Sequence, residues 1–265
     1  MSAEVICLAN FKGGVAKTTS AINLAAGLAH AGQRTLLADC DPQANASEMF
    51  VPESEIEFDF RSIIADQVPT EKAIKQTRID RLDVLPASFD LAYLDKELVV
   101  TPSGVQRIER ALRPIQENYD YIVLDTGPNL SHLTLGALVA SHHIVIPVSA
   151  AVWSTTGLRK FVRWINLHQE DEVIDAELLG LVATIVPTRT RIGRALLDEL
   201  NSSGFPTFST FIPRRIGAED AVMDRAVAGE PNADPALSAA YLALTTEVME
   251  RVDERQDLRG RRRAY

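Results

Sequence analysis

Lys17, Thr18 and Thr19 follow an adjacent pair of glycines, Gly13 and Gly14, in the segment NFKGGVAKTT at residues 10–19. An apolar run, EVICLA (4–9), precedes this segment, and a stretch with helical spacing, SAINLAAGLAHAG (20–32), follows it. A glycine-bearing loop between a buried strand and a helix presents backbone N–H groups to phosphate oxygens, and the helix N-terminus adds a favourable dipole. In that chemistry Lys17 reaches the terminal phosphates and Thr18 gives its hydroxyl to magnesium, while Thr19 and the amides of Gly13, Gly14, Val15, Ala16 and Lys17 bind the remaining oxygens. Glycines before threonines also make an ordinary strand-to-helix turn, but here strand, loop and helix stand in the order that phosphate binding requires. The usual pattern, GxxxxGK followed by Ser or Thr, has glycines where this chain has Phe11 and Ala16. The helix is expected to have begun by residue 16, where alanine is a good helix former and its methyl group is harmless.

Carboxylates stand at two other strand ends. Asp39 and Asp41 follow the apolar run TLLA (35–38), and an extended backbone there projects both to the same side. Asp-Pro is also a common turn starter, and that reading holds beside the chemical one. Asp125 closes four apolar residues in DYIVLDTGP (120–128), where a carboxylate reaches magnesium directly or through water.

Positioning these groups requires a sheet. Apolar runs at 4–9, 35–38, 82–85, 121–124, 144–148 and 178–186 read as buried parallel strands. Helical spacing occupies 18–31, 104–118, 130–140, 155–169, 192–201, 216–228 and 233–253. The alternation predicts an α/β fold, a doubly wound and mostly parallel sheet with helices on both faces, as in P-loop NTPases. With 265 residues, 46% of them hydrophobic, residues 1–253 suffice for one domain, and the charged segment 254–265 is expected to be a disordered tail. The absence of a long apolar run predicts no membrane span or secretory signal, hence a cytoplasmic protein. Cys7 and Cys40 fit neither a disulfide framework nor a CxxC metal site.

Lys12, five residues before Lys17, makes the loop resemble KGGxxKTT, the deviant Walker A loop of the ParA/MinD family of dimeric P-loop ATPases. The DxDPQ sequence at Asp39 and Asp41 resembles that family's second signature, and IPVSAAVWSTTGLRKF (146–161) extends the match. The resemblance implies ATP and Mg2+ as ligands and ATP hydrolysis as the activity, slow without partner and DNA. It assigns Lys12, Lys17 and Asp41 to catalysis. Lys12 crosses to the partner's nucleotide in an ATP-bound homodimer, and Asp41 positions the attacking water. Asp39, with Thr18 and Asp125, supports the magnesium shell, and Pro187 and Pro213 wall the adenine. The family more often has proline or cysteine at Gly127, so the loop after Asp125 is expected to be more mobile here. Trp153 is expected in the core.

A net charge of -9 repels DNA on average, so any DNA contact needs a local basic patch. Arg189, Arg191 and Arg194 form one cluster, and Arg214, Arg215 and Arg225 another. Scattered solvated arginines account for this equally well on sequence alone. The likeness to ParA proteins favours non-specific DNA binding, with Arg215 replacing the downstream arginine that the family has at Gly217. The same likeness implies a ParB-like centromere-binding partner, a nucleoid-associated location and a role in chromosome or plasmid segregation. The tail RQDLRGRRRAY lacks the apolar face of the MinD membrane helix, so no membrane contact is expected. The alternative is a nucleotide-dependent switch that positions a protein cargo with little hydrolysis.

Overall fold

The computed structural model describes residues 2–65, 67–101, 103–150, 155–215 and 226–263. Its strands are β1 (Glu4–Leu8), β2 (Thr35–Cys40), β3 (Lys75–Gln76), β4 (Leu82–Leu85), β5 (Tyr121–Thr126), β6 (His143–Ser149) and β7 (Glu177–Thr184). They form one sheet in the order β3-β4-β2-β5-β1-β6-β7, with β3 antiparallel to β4 and every other pair parallel. The helices are α1 (Lys17–His30), α2 (Asn45–Glu48), α3 (Phe60–Ile64), α4 (Leu91–Val100), α5 (Arg107–Leu112), α6 (His132–Val139), α7 (Thr155–Glu170), α8 (Arg191–Asn201) and α9 (Pro235–Arg263).

Side chains alternate along each strand, so the two faces of the sheet bury different residues. Ile6, Leu8, Leu37, Val123 and Val182 pack under α1 and α9. Val5, Cys7, Leu36, Leu124 and Ile146 pack against the helices of the other face through Leu94, Leu133, Phe161 and Leu196. With both faces covered, the central strands are apolar throughout rather than alternating with polar residues. On the α1 side the helices approach closely at Gly27, where a methyl group would collide with the Thr245 side chain. Among the described residues no helix is long and apolar enough to cross a membrane.

Three local features differ from the sequence expectations. The single helix expected over 104–118 is a 3-10 turn at Gly104–Gln106, then α5, then a 3-10 stretch at Arg113–Asn118. Pro114 has no amide to continue the α-helical ladder, which accounts for the change of pitch. Helix α4 has no counterpart in the expected set; its buried residues are only Leu91, Leu94 and Leu98, and Val99 and Val100 are exposed, which blurs the helical pattern. The last helix runs on to Arg263 through the segment expected to be a disordered tail. Polar contacts rather than apolar packing hold its later turns: Gln256 donates to Glu4 (2.8 Å) and Arg255 pairs with Glu177 (3.2 Å). The helix expected at 216–228 falls largely outside the described residues, as do Trp153, Gly217 and Arg225.

All the parallel strands end at one edge. In the register, Leu8 and Asp39 both lie opposite Asp125, from β1 and β2 respectively, so the loop after β1 and the two carboxylate-bearing strand ends meet there.

Candidate active site

The loop from Asn10 to Ala16 is tied down from three directions. Asn10 donates to the Pro147 carbonyl (2.8 Å), and its own side-chain oxygen accepts the Lys12 amide (3.1 Å). Thr184, at the end of β7, donates to the Val15 carbonyl (3.0 Å). Phe11, which takes the place of a pattern glycine, packs its ring against Phe161 of α7 at 5.6 Å.

Gly14 and Ala16 both have left-handed backbone, at φ 70 and φ 57. Helix α1 therefore begins at Lys17, and Ala16 is its N-cap rather than its first residue, contrary to the sequence expectation. The loop needs left-handed residues to turn its amides to one side, the concave arrangement that accepts anions. The cost at a non-glycine residue is about 1 kcal/mol. Ala16→Gly is accordingly expected to raise unfolding stability by roughly 0.5–1 kcal/mol, with part of the gain lost to a freer unfolded chain. Urea denaturation of the two proteins measures this, and a less stable glycine variant would show that the methyl group packs favourably.

No side chain caps α1 among the described residues, and its first turn carries no acidic residue. Its N-terminal amides thus remain for a ligand. Lys17 is almost buried, with 6% of its surface exposed, and its ammonium donates to the Lys12 carbonyl (3.2 Å). Burial lowers its pKa, and the negative charges of Asp125 and Asp41 oppose that shift.

The three carboxylates differ in their partners. Asp39 is fully buried and accepts three hydrogen bonds: the Ser47 hydroxyl (2.7 Å) and Ser47 amide (2.9 Å) at Oδ2, and the Asp41 amide (3.0 Å) at Oδ1. Burial pushes its pKa up to about 6, with the nearby Asp41 charge adding to the shift and the three donors opposing it. Asp41 accepts the Gln43 amide at Oδ1 (3.0 Å). Asp125 is fully buried, and neither of its oxygens has a hydrogen bond of normal geometry among the described residues. Burial holds its pKa well above the usual carboxylate range; Asp39 and Asp41 add to the effect, while the Thr18 hydroxyl and Lys17 oppose it. A buried carboxylate with no hydrogen bond of normal geometry, facing a threonine hydroxyl and an ammonium, has the electronic character of a cation ligand.

Gly127 bears directly on Asp41. A methyl group there would lie 3.3 Å from Asp41 Oδ1, so the small residue leaves the carboxylate its seat beside β5.

A family model described as an AAA domain matches residues 3–178. The sporulation initiation inhibitor protein Soj of Bacillus subtilis is 37% identical over 220 residues, covering 82% of this chain and 87% of that protein. This chain belongs to the ParA/Soj family of partitioning ATPases. The chromosome partitioning protein ParA of Myxococcus xanthus is 35% identical over 217 residues, covering 80% of this chain and 76% of its own length. Among solved structures, cobyrinic acid a,c-diamide synthase from Mycobacterium smegmatis with bound ADP and magnesium superposes with a TM-score of 0.80 at 27% identity, over 92% of this chain and 93% of that one.

Within this ParA/Soj-family ATPase, Lys12 folds over the first turn of α7. A methyl group at Gly157 would lie 3.1 Å from its Cε and 3.2 Å from its Nζ, so Gly157 makes room for the lysine. Pro187 and Pro213 are brought together, since Val186 and Pro213 form a bridge and the Arg214 amide donates to the Val186 carbonyl (2.8 Å). Neither proline lines the cavity next to the loop, which has a volume of about 370 Å³ and opens from Thr18 and Thr19 towards Ile22, Met49, Leu237 and Tyr241. The Pro213 loop does border it, because Arg215 pairs with Asp234 on the cavity wall (3.1 Å).

That ion pair bears on the basic patch expected from the sequence. Arg189, Arg191, Arg194 and Arg214 are exposed, whereas Arg215 is engaged by Asp234. Thr190 caps α8 by accepting the Gly193 amide (3.1 Å), which sets Arg191 and Arg194 on its first turn. Sequence reasoning missed Ser47 and the seats at Gly127 and Gly157. Only Ser47 had a signal that could have found it, a small hydroxyl residue six positions after Asp41, and such residues are common at helix starts.

Proposed function

We propose that this protein binds ATP with magnesium, hydrolyses it, and as an ATP-bound homodimer holds DNA without reading its sequence. A ParB-like protein at a centromere site would stimulate hydrolysis and release, which drives segregation of a chromosome or plasmid by a cytoplasmic, nucleoid-associated protein. The observation that carries the nucleotide reading is the buried Asp125 carboxylate, facing the Thr18 hydroxyl and the Lys17 charge with no hydrogen bond of normal geometry among the described residues, together with the uncapped N-terminus of α1. These residues fit a metal–triphosphate group: amides of residues 13–18 and Lys17 hold phosphate oxygens, and Thr18 and Asp125 hold magnesium. Bound magnesium would neutralise charge on the phosphates. Asp41 orients the attacking water, and Lys12 supplies charge to the partner's nucleotide. The cavity from Thr18 and Thr19 takes the ribose and base, with the Pro213 loop at its border through the Arg215–Asp234 pair. Two relatives named for chromosome partitioning or sporulation control support the cellular reading.

DNA retention at rising salt, compared with ATP and with ADP, tests the proposal. The wild type is expected to bind duplex of any sequence with ATP and to release it with ADP. Replacing Arg189, Arg191 and Arg194 together by alanine is expected to weaken binding roughly 10-fold or more at moderate salt and to reduce the salt slope. Equal retention with both nucleotides would overturn the switch, and an unchanged slope would remove these arginines from the interface.

A further inference from the structure

Ser47 is fully buried, lies eight residues after Asp39, and joins two parts of the site that are far apart in sequence. Its hydroxyl donates to Asp39 Oδ2 (2.7 Å) and accepts the Ala87 amide just beyond β4 (2.8 Å). Its own amide donates to the same Asp39 oxygen (2.9 Å). Asp39 then accepts the Asp41 amide at its other oxygen (3.0 Å). A serine hydroxyl has one proton to give, and here that proton is committed to Asp39. Asp39 thus has both oxygens engaged by protein donors, whereas neither oxygen of Asp125 has a hydrogen bond of normal geometry among the described residues.

We infer that Ser47 is a positioning residue which, through Asp39, holds the Asp41 backbone and so aims the Asp41 carboxylate, and that Asp39 serves as this internal acceptor rather than as a magnesium ligand. The inference rests on the reading that Asp41 orients the attacking water. The physical argument is one of satisfied valence. The Asp41 amide and the start of α2 both hang from one carboxylate, and the Ala87 amide fixes the hydroxyl that orients it. Without the hydroxyl, Asp39 keeps only amide donors and is free to rotate, while the Ala87 amide is left buried and unpaired. The phosphate loop makes none of these bonds, so nucleotide affinity is separable from the aim of Asp41.

The test compares Ser47→Ala, Ser47→Thr and Asp39→Asn in the full chain. Three readouts are taken: steady-state ATP turnover, ATP affinity as a function of magnesium concentration, and amide hydrogen exchange without nucleotide. Ser47→Ala is expected to lower kcat roughly 10- to 100-fold, the scale of a displaced catalytic group, with ATP affinity unchanged. Exchange is expected to quicken over 39–47 and at Ala87 but not over 10–19. Ser47→Thr keeps a hydroxyl in place and is expected to restore both turnover and protection. Asp39→Asn is expected to lower turnover while leaving the magnesium requirement for ATP binding unchanged. Undiminished turnover in Ser47→Ala, affinity falling in step with turnover, or failure of threonine to restore either would overturn the clamp. A raised magnesium requirement in Asp39→Asn would make Asp39 a metal ligand and overturn it too. A wild type that binds ATP without ever turning it over would sink the hydrolysis reading instead, and the exchange and magnesium results would still decide whether Asp39 is held by Ser47.

Discussion

Lys17→Ala is expected to abolish ATP binding at millimolar nucleotide and magnesium. The ammonium sits almost fully buried at the mouth of α1 and already donates to a loop carbonyl, so it is held in place before any ligand arrives. Little side-chain entropy remains to be lost on binding, and a desolvated cation contributes more than an exposed one. Two charge-assisted bonds to phosphate contribute about 3 kcal/mol or more, which is an affinity loss of roughly 100-fold at the least. Burial lowers the Lys17 pKa, while Asp125 and Asp41 favour its charged form. Alanine therefore also removes a counter-charge from two carboxylates, and the variant without ligand is expected to melt at a lower temperature. Calorimetric titration with ATP, read beside a thermal melt of the same sample, separates the two effects. A folded variant that binds ATP within a few-fold of the wild type would remove Lys17 from the phosphate site.

Asp41→Ala is expected to behave in the opposite way. Its carboxylate accepts the Gln43 amide and lies beside Gly127, whereas the backbone amides that would hold phosphate belong to residues 13–18. ATP affinity is therefore expected to persist, while turnover falls roughly 100- to 1,000-fold, the scale for loss of a group that moves or orients a proton donor. The ATP-bound dimer is expected to accumulate and to remain on DNA. The stability sign also differs from that of Lys17→Ala. Asp41 raises the pKa of both Asp39 and Asp125, so removing its charge relieves repulsion in a buried cluster and should not lower the melting temperature at neutral pH. Gel filtration with ATP and a phosphate-release assay report the two expected outcomes. Rapid hydrolysis by the variant would show that Asp41 has no part in catalysis.

Much of this site was legible in the chain because its parts are local. The order strand, glycine pair, Lys17, Thr18 and then helix needs about ten residues, and backbone sterics largely dictate how such a segment folds. Asp39, Asp41 and Asp125 could be placed because parallel strands end at a common edge, whichever neighbours they take. The parallel strands were readable as apolar runs for the related reason that both faces of the sheet are covered. Where expectation and structure part, the deciding contact lies outside the segment. Ala16 has the composition of a helix residue, and its left-handed φ follows from how the loop is anchored by Pro147 and Thr184. The segment after residue 253 is too charged to suggest order, and its contacts come from Glu4 and Glu177 on the sheet.

The sequence by itself determined that this chain would present a lysine, two threonines and three carboxylates at the carboxyl edge of a parallel sheet. It also placed the chain by resemblance among partitioning ATPases. Only the tertiary structure decided which carboxylate is satisfied and which is left bare. The donors that engage Asp39 come from α2 and from the loop just after β2, and the orienting amide comes from beyond β4, whereas Asp125 has no hydrogen bond of normal geometry among the described residues. Spacing along a chain specifies which groups share an edge, but the hydrogen bonds that spend or spare a carboxylate depend on segments far apart in sequence meeting in the folded protein.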